Sequence, residues 1–445
     1  MTHNPPPAPH STQLRAHILQ CVRDYAENLA PAPAFVPGET PIPPSGKVLG
    51  AQELAYAVDA VLDGWLTTGR FNAAFEEKLA RFLDAGFALS CNSGSSANLL
   101  AVSALCSPLL GGRALQPGDE VITAAAGFPT TVNPILQNRL IPVFVDSAPP
   151  DYNPAPAAIE AAIGPRSRAI ILAHTLGNPF AAAEIRAIAD KHRLWLIEDC
   201  CDALGSTHRG KKTGTFGHIA TLSFYPAHHI TMGEGGALVT SDPALKRAAE
   251  SLRDWGRDCH CAPGRDNTCG HRFRGHWDKL PAGYDHKYVY AHAGYNLKIT
   301  DMQAALGLAQ LERLEEFIAA RKKNFAALAR ALSGTERFLQ LPQAAPDSDP
   351  AWFGFPLTLE PEAAARRPDL LDHLDRRKIG VRLLFAGNLT RQPYMQGRDY
   401  RVSGALAGAD RIMNGSFWIG LYPGLTEDML AYSAHCLREF FGLEA

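Results

Sequence analysis

Apolar and polar positions recur along this chain in two rhythms, and the changes between them predict its elements. After a proline-broken opening, "AQELAYAVDAVLDGW" (51–65) and "NAAFEEKLARFLDA" (72–85) place apolar residues three and four apart, as on one face of a helix. From Phe87 the rhythm becomes short apolar runs, "FALS", "DEVITAA", "IPVFVD", "RAIILAH" and "LWLIED", separated by helix-length segments such as "AAAEIRAIADKHR". Runs of that kind are strands buried on both faces, so their alternation with helices predicts an α/β chain built on a mainly parallel sheet. Beyond Asp301, "DMQAALGLAQLERLEEFIAARKKNFAALARAL" returns to helical spacing and predicts one long helix. It leads into a smaller α/β unit with "WFGFPLTL", a helix near Leu370, "GVRLLF" and a final helix. The expected organisation is an N-terminal arm over 1–46 with a helix from Thr12 to Leu29, a large domain over 47–310 and a small C-terminal domain over 311–445.

Composition removes several classes. With 445 residues, 46% hydrophobic and 20% charged, the chain has enough apolar side chains for a large and a smaller core. A formal net charge of −2 leaves no basic field for nucleic acid. No apolar run approaches the ~20 residues of a membrane span, and "MTHNPPPAPHSTQLRAH" lacks the apolar segment of a secretory signal, so a cytoplasmic protein is expected. Nine scattered cysteines, an odd number, do not make a disulfide framework. Cys21, Cys91, Cys106, Cys200 and Cys436 read as small buried residues. Cys259, Cys261 and Cys269 are crowded into "CHCAPGRDNTC", and with Cys201 they suggest a metal or a cluster.

Two turns carry candidate chemistry. "CNSGSSAN" puts Gly94, Ser95 and Ser96 where a strand gives way to a helix, where free N–H groups and the helix dipole attract phosphate. The same residues also make an ordinary turn and cap. "LWLIEDCCDALGS" sets Glu198, Asp199 and Asp202 at the carboxyl edge of a buried strand, where a carboxylate can hold a protonated ring nitrogen. A cap or an internal ion pair is the other use of such carboxylates.

In order, "NSGSSA", "GFPTT", "IEDCCDALGS", "SFYPAHH…GEGGA" and "GYNLKITDMQAALGL" resemble the sugar aminotransferases of the DegT/DnrJ/EryC1/StrS group, which have the aspartate aminotransferase fold, type I. The resemblance implies a pyridoxal-type cofactor with Gly94, Ser95 and Ser223 near its phosphate, Phe128 against its ring and Asp199 on its pyridine nitrogen. It also implies a homodimer in which Asn296 reaches a neighbouring subunit's phosphate. Asp202 stands where many relatives have glutamine, as the contact to the ring hydroxyl.

One position departs from that pattern. Transaminating members carry a Schiff-base lysine five residues after the serine matching Ser223, and here that position is His228. An imidazole cannot bind the cofactor that way, but it moves protons near neutral pH, which implies noncovalently held pyridoxamine 5'-phosphate with His228 as base. His229 is the rival for that role. The spacing Cys201-x57-Cys259-x-Cys261-x7-Cys269 resembles the iron–sulfur pattern of the CDP-4-keto-6-deoxyglucose 3-dehydratases of 3,6-dideoxysugar synthesis. Thiolates suit zinc as well, with His260 or His271 as further ligands. That resemblance implies removal of the 3-hydroxyl of a nucleotide-linked 4-keto-6-deoxyhexose, with a 2Fe–2S cluster passing electrons from an NAD(P)H-dependent flavin and iron–sulfur reductase. Arg257, Arg265 and Arg272 are candidates for docking it, and Arg382 and Arg391 for phosphate, although ion pairing is the commoner use of arginines such as the last two.

Overall fold

The short apolar runs assemble into one sheet because each can bury both of its faces. The computed structural model describes residues 9–29 and 33–443. Strands β1 (Phe87–Cys91), β2 (Glu120–Ala124), β3 (Ile141–Val145), β4 (Ser167–Ala173) and β5 (Trp195–Asp199) are followed by a two-residue ribbon, β6 (Thr207–His208) and β7 (Lys211–Lys212), and then by β8 (Ile219–Ser223) and β9 (Gly236–Thr240). Later come β10 (Leu339–Gln340), β11 (Ser348–Asp349), β12 (Phe355–Leu359), β13 (Val381–Leu383), β14 (Arg401–Val402) and β15 (Ser416–Ile419). The main sheet runs β1-β9-β8-β5-β4-β2-β3-β14, with β9 alone antiparallel to its neighbours. It is therefore the mainly parallel α/β sheet that the alternation predicted. Its outermost strand, β14, comes from the C-terminal third of the chain and carried no sequence signal.

Successive residues of a strand point to opposite faces, and the cores follow that period. Ile171 and Ile197 join Leu100, Leu105 and Leu245 on one side, whereas Ile170 and Leu196 pack with Ile185 on the other. Each fully buried side chain of this size contributes about 2 kcal/mol. A second, antiparallel sheet of order β10-β12-β15-β13 has its own core, in which Phe355, Leu357, Phe417 and Ile419 meet Leu328 and Leu437.

Helices α1 (Pro9–Glu27), α2 (Ala51–Leu62), α3 (Arg70–Phe82), α4 (Gly94–Leu105) and α5 (Pro129–Gln137) occupy the first third of the chain. The arm helix α1 is tied down by Arg15, whose guanidinium reaches Asp59 at 2.6 Å and Asp63 at 2.7 Å on and beside α2. Further along, Ile42 bridges Ile379 next to the small sheet, so the arm touches both cores. Among the described residues no helix is long and apolar enough to cross a membrane.

The single long helix expected after Asp301 is in fact two, Asp301–Glu312 and Leu314–Ala331, with Arg313 at φ −105° and ψ 4° between them. The break lets the first helix pack Ala304, Ala305 and Leu311 under the main sheet while the second delivers Leu328 to the small one. Apolar spacing looks the same across both helices, so the bend is invisible to it. Arg313 is held at the bend by Glu316 and by buried Glu53.

Asp301, 1% exposed, accepts the backbone N–H groups of Gly69 (2.9 Å), Phe71 (3.2 Å) and Asn72 (2.8 Å) and so caps α3 from across the fold. Asp301→Ala strands three donors, and we expect a loss of about 2–4 kcal/mol in urea unfolding; a loss below 0.5 kcal/mol would contradict this role.

Candidate functional site

β1, β5 and β8 end on the same edge of the sheet, and the residues that follow them enclose a cleft of about 530 Å³. Gly94, Ser95, Phe128, Asp199, Asp202, Ser223 and His228 all line it. Seven of the residues singled out in the sequence thus meet at one place, although Gly94 and His228 lie on separate elements far apart in the chain.

One end of the cleft is built for an anion. α4 starts at Gly94, capped by Ser93, whose Oγ accepts the Ser96 N–H at 3.0 Å. The amides of Gly94 and Ser95 precede the first intrahelical bond and so have no partner within α4. A Cβ on Gly94 would fall 2.5 Å from Ser223 Cβ and 2.9 Å from Cys201 Sγ, so only glycine lets β8 and the turn after β5 approach the helix this closely. Gly236 on β9 is constrained in the same way, since a Cβ there would stand 2.3 Å from the Ser93 carbonyl oxygen.

The middle of the cleft is set by Asp199, the last residue of β5. Its Oδ2 accepts Asn98 Nδ2 at 2.8 Å and Thr131 Oγ1 at 2.7 Å, and its Oδ1 accepts the Cys201 N–H at 3.2 Å. Asn98 is itself fixed, accepting Thr221 Oγ1 at 2.6 Å. Glu198, one residue earlier, points to the opposite face and is consumed by structure: it accepts N–H groups from Gly214, Phe216 and Gly217 and meets His174 Nε2 at 3.1 Å. Phe128 stands at the N-terminal end of α5, 49% exposed, with its apolar ring lining the cleft.

His228 and Asp202 face one another at the far end. His228 Nδ1 lies 3.4 Å from Asp202 Oδ1 without forming a well-aligned hydrogen bond, and Asp202 Oδ2 is buried with no partner. Burial, reinforced by Asp199, raises the Asp202 carboxyl above its ordinary range despite the opposing pull of His228. Such orphaned polar atoms inside a cleft are the mark of a place that expects a polar ligand. Only Ser223 of "SFYPAHH" is strand; the histidines sit in the loop 224–235. That loop is anchored by Arg321, fully buried, which donates to the carbonyls of His228 (3.3 Å), Trp352 (3.3 Å) and Phe353 (2.9 Å). His229 turns away and pairs its Nε2 with the Ala351 carbonyl at 2.5 Å, and burial holds its imidazole far below the usual basicity.

The cysteines do not gather as their spacing suggested. Cys259, Cys261 and Cys269 bring their sulfurs within 4.8 Å of one another, on the loop after helix Pro243–Arg253. Cys201 does not join them in this chain: its N–H is bound to Asp199 and its sulfur lies under Gly94, on the cofactor-type cleft, while Cys259 and Cys261 line a different one. The physical reason is the strand end, which fixes Cys201 at the sheet edge. Burial, with Asp199 and Asp202 close by, pushes the Cys201 thiol well up. Cys261 goes the other way: hydrogen bonds from Thr268, the Cys269 backbone and its sister thiols outweigh burial and bring it down to about 7. Three thiols at that separation suit iron or zinc.

Other expectations scatter. Asn296 lies outside the cleft, bridged to Asp254, with its Oδ1 accepting Lys298 Nζ at 3.0 Å. Arg391 is spent on Asp410 in a two-pronged pair at 2.5 Å, whereas Arg382 on β13 does reach the cleft. Asn98, Thr131 and Arg321 were not picked out from the sequence, because a buried polar residue on a helix has no periodic or compositional signature.

Residues 48–438 match the DegT/DnrJ/EryC1/StrS aminotransferase family. The chain is 62% identical over 434 residues to the lipopolysaccharide biosynthesis protein RfbH of Salmonella typhimurium, covering 97% of this chain and 99% of that protein. It is 53% identical over 423 residues to a dTDP-4-dehydro-2,6-dideoxy-D-glucose 3-dehydratase of Saccharopolyspora spinosa, covering 95% and 91% respectively. The crystal structure of a mutant GDP-4-keto-6-deoxymannose-3-dehydratase with bound GDP-perosamine superposes with a TM-score of 0.80 at 26% identity, over 89% of this chain and all of that one. Fold, cleft and sequence agree, and the chain belongs to the DegT/DnrJ/EryC1/StrS aminotransferase family.

Proposed function

We propose that this protein is a pyridoxamine phosphate- and iron–sulfur-dependent 3-dehydratase of a CDP-linked 4-keto-6-deoxyhexose, serving deoxysugar and lipopolysaccharide synthesis. The observation that carries the reading is His228, which stands where transaminating relatives have lysine and faces Asp202 in the same cleft as Asp199 and the start of α4. The likeness to RfbH supports the pathway, and the 3-dehydratase names of other relatives support the reaction.

The lining of the cleft suits that cofactor. The Gly94 and Ser95 amides with Ser223 would hold its phosphate, Phe128 would lie against the ring, Asp199 would take the protonated pyridine nitrogen, and Asp202 would meet the ring hydroxyl with its unpartnered Oδ2. Asn296 reaches the phosphate bound by the second subunit of a homodimer. Pyridoxamine phosphate, when bound, supplies a primary amine for the substrate's ketone and a conjugated system that accepts electrons.

The chain's own work is proton transfer and positioning. With Nδ1 turned to Asp202, the Nε2 of His228 would be the atom that moves a proton at the cofactor's methylene carbon, and Arg321 holds the backbone that aims it. Net replacement of the 3-hydroxyl by hydrogen releases water and consumes two electrons and two protons. Cys259, Cys261 and Cys269 would hold a 2Fe–2S cluster, which would supply one-electron transfer from an NAD(P)H-dependent flavin and iron–sulfur reductase. The Saccharopolyspora relative favours a second substrate, a dTDP-4-keto-2,6-dideoxyhexose, and product analysis with CDP and dTDP keto sugars plus a reductase separates the two.

Three outcomes are expected. Anaerobically purified protein contains iron and acid-labile sulfide; zinc without either would sink the electron-transfer role. His228→Asn retains pyridoxamine absorbance but loses at least ~100-fold in turnover, and unchanged turnover would remove His228 as base. Asp202→Asn changes the stability of the cofactor-free protein with pH. Because the folded carboxyl has a raised pKa, its contribution is full below its unfolded pKa and is lost as pH rises through the folded one. The substitution should therefore raise Tm relative to the parent as pH goes from acid to neutral, in scanning fluorimetry without cofactor; a gain confined to acid pH would refute the assignment.

A further inference from the structure

The proline-rich stretch before α2 has no part in the chemistry described so far, yet one of its residues enters the cleft. Ser45, half-buried, lines it together with Arg382 of β13 and Trp418 of β15. The segment that carries it, "IPPSGKV" (42–48), is a strap fastened at both ends. At one end the Ile42 N–H donates to the Lys378 carbonyl and the Gly380 N–H to the Ile42 carbonyl, both at 2.8 Å. At the other, Gln310 Nε2 donates to the Val48 carbonyl at 2.9 Å. Between these ties the rings of Pro43 and Pro44 lock two φ angles. The strap also lies too close to the small domain for side chains at two positions: a Cβ on Gly420 would fall 2.6 Å from the Pro43 carbonyl oxygen, and one on Gly46 2.6 Å from the Tyr422 ring.

Ser45 is therefore presented at a fixed place, and its hydroxyl is unspent. Among the described residues Ser45 Oγ has no hydrogen-bond partner. The groups assigned to the cofactor, on Gly94, Asp199, Asp202 and Ser223, come from the edge of the main sheet, whereas Ser45 arrives with the small sheet. That leaves it to the second ligand of the cleft, the substrate. The same strap borders the base, since Gly46, Lys47 and Val48 line a small cavity with His228 and Arg321. The part of the substrate beside His228 is the hexose, and a hexose offers hydroxyls that a serine can meet as donor or acceptor. We propose that the strap 42–48 is a wall of the substrate site and that Ser45 is a specificity-determining residue whose Oγ hydrogen-bonds a hydroxyl of the hexose. The inference rests on the nucleotide-sugar reading given above. A polar group built to meet a hydroxyl is left unpaired by a sugar lacking it, so Ser45 selects for the hydroxylated ring.

The test uses the full-length protein loaded with pyridoxamine phosphate. In the His228→Asn background, calorimetric titration with a CDP-linked 4-keto-6-deoxyhexose is expected to show binding weakened about 3–10-fold by Ser45→Ala, with binding of CDP alone, cofactor absorbance and Tm all unchanged. With His228 present and a reductase supplied, Ser45→Ala lowers kcat/KM by a similar factor. Gly46→Ala, whose new Cβ displaces the strap from Tyr422, should weaken sugar binding too, and Ser45→Ala should add nothing to it in the double variant. Unchanged sugar binding in Ser45→Ala, an equal loss for CDP alone, or penalties that add in the double variant overturn the role of Ser45. Loss of cofactor absorbance in Ser45→Ala also overturns it, because the hydroxyl then serves the cofactor. Parent protein that binds neither CDP- nor dTDP-linked keto sugars overturns the nucleotide-sugar reading itself.

Discussion

The hydrogen-bonded carboxylate of Asp199 is the interaction on which the rest of the cleft depends. Its three donors come from α4, α5 and the turn that follows β5, and the α4 donor, Asn98, is held in turn by β8. Four elements that are distant in sequence are thereby locked to one atom pair. A buried carboxylate missing any of these partners would leave a charge uncompensated, at a cost of several kcal/mol. The network thus fixes at once the start of α4, the aromatic ring at the head of α5 and the cysteine turn.

Close backbone approach is the second condition. Gly94 and Gly236 allow β1, β8, β9 and the start of α4 to converge to distances at which any side chain would collide. Arg321 plays a comparable part from the other side, since its guanidinium ties the His228 loop to the segment entering the small sheet. His228 is therefore positioned by both sheets, and its partner Asp202 retains a buried oxygen without a hydrogen bond, which costs stability. Stability given up at a site of this kind is the usual accompaniment of a preorganised one.

The cysteine loop belongs to a different mechanical unit. It is attached through Asp254, Arg257 and Asp258 to the segment 289–296. Two of its thiols, Cys259 and Cys261, and the His228–Asp202 pair thus line separate clefts of one chain.

The sequence by itself determined the sheet, the helix-bearing turns and most of the cleft. Buried strands read as unbroken apolar runs, and Gly94, Asp199 and Ser223 stand at or just past the ends of such runs, with His228 in the loop that follows Ser223. It also marked the cysteines, whose crowding is a local property. Tertiary structure alone decided which sulfurs meet, because Cys201 is bound to a strand end while the other three hang on a loop. In the same way it decided the bend at Arg313, the added strand β14 and the quiet role of Glu198 and His229. Each of these depends on which distant backbone packs against a residue, and periodicity along the chain carries no record of contacts made through space.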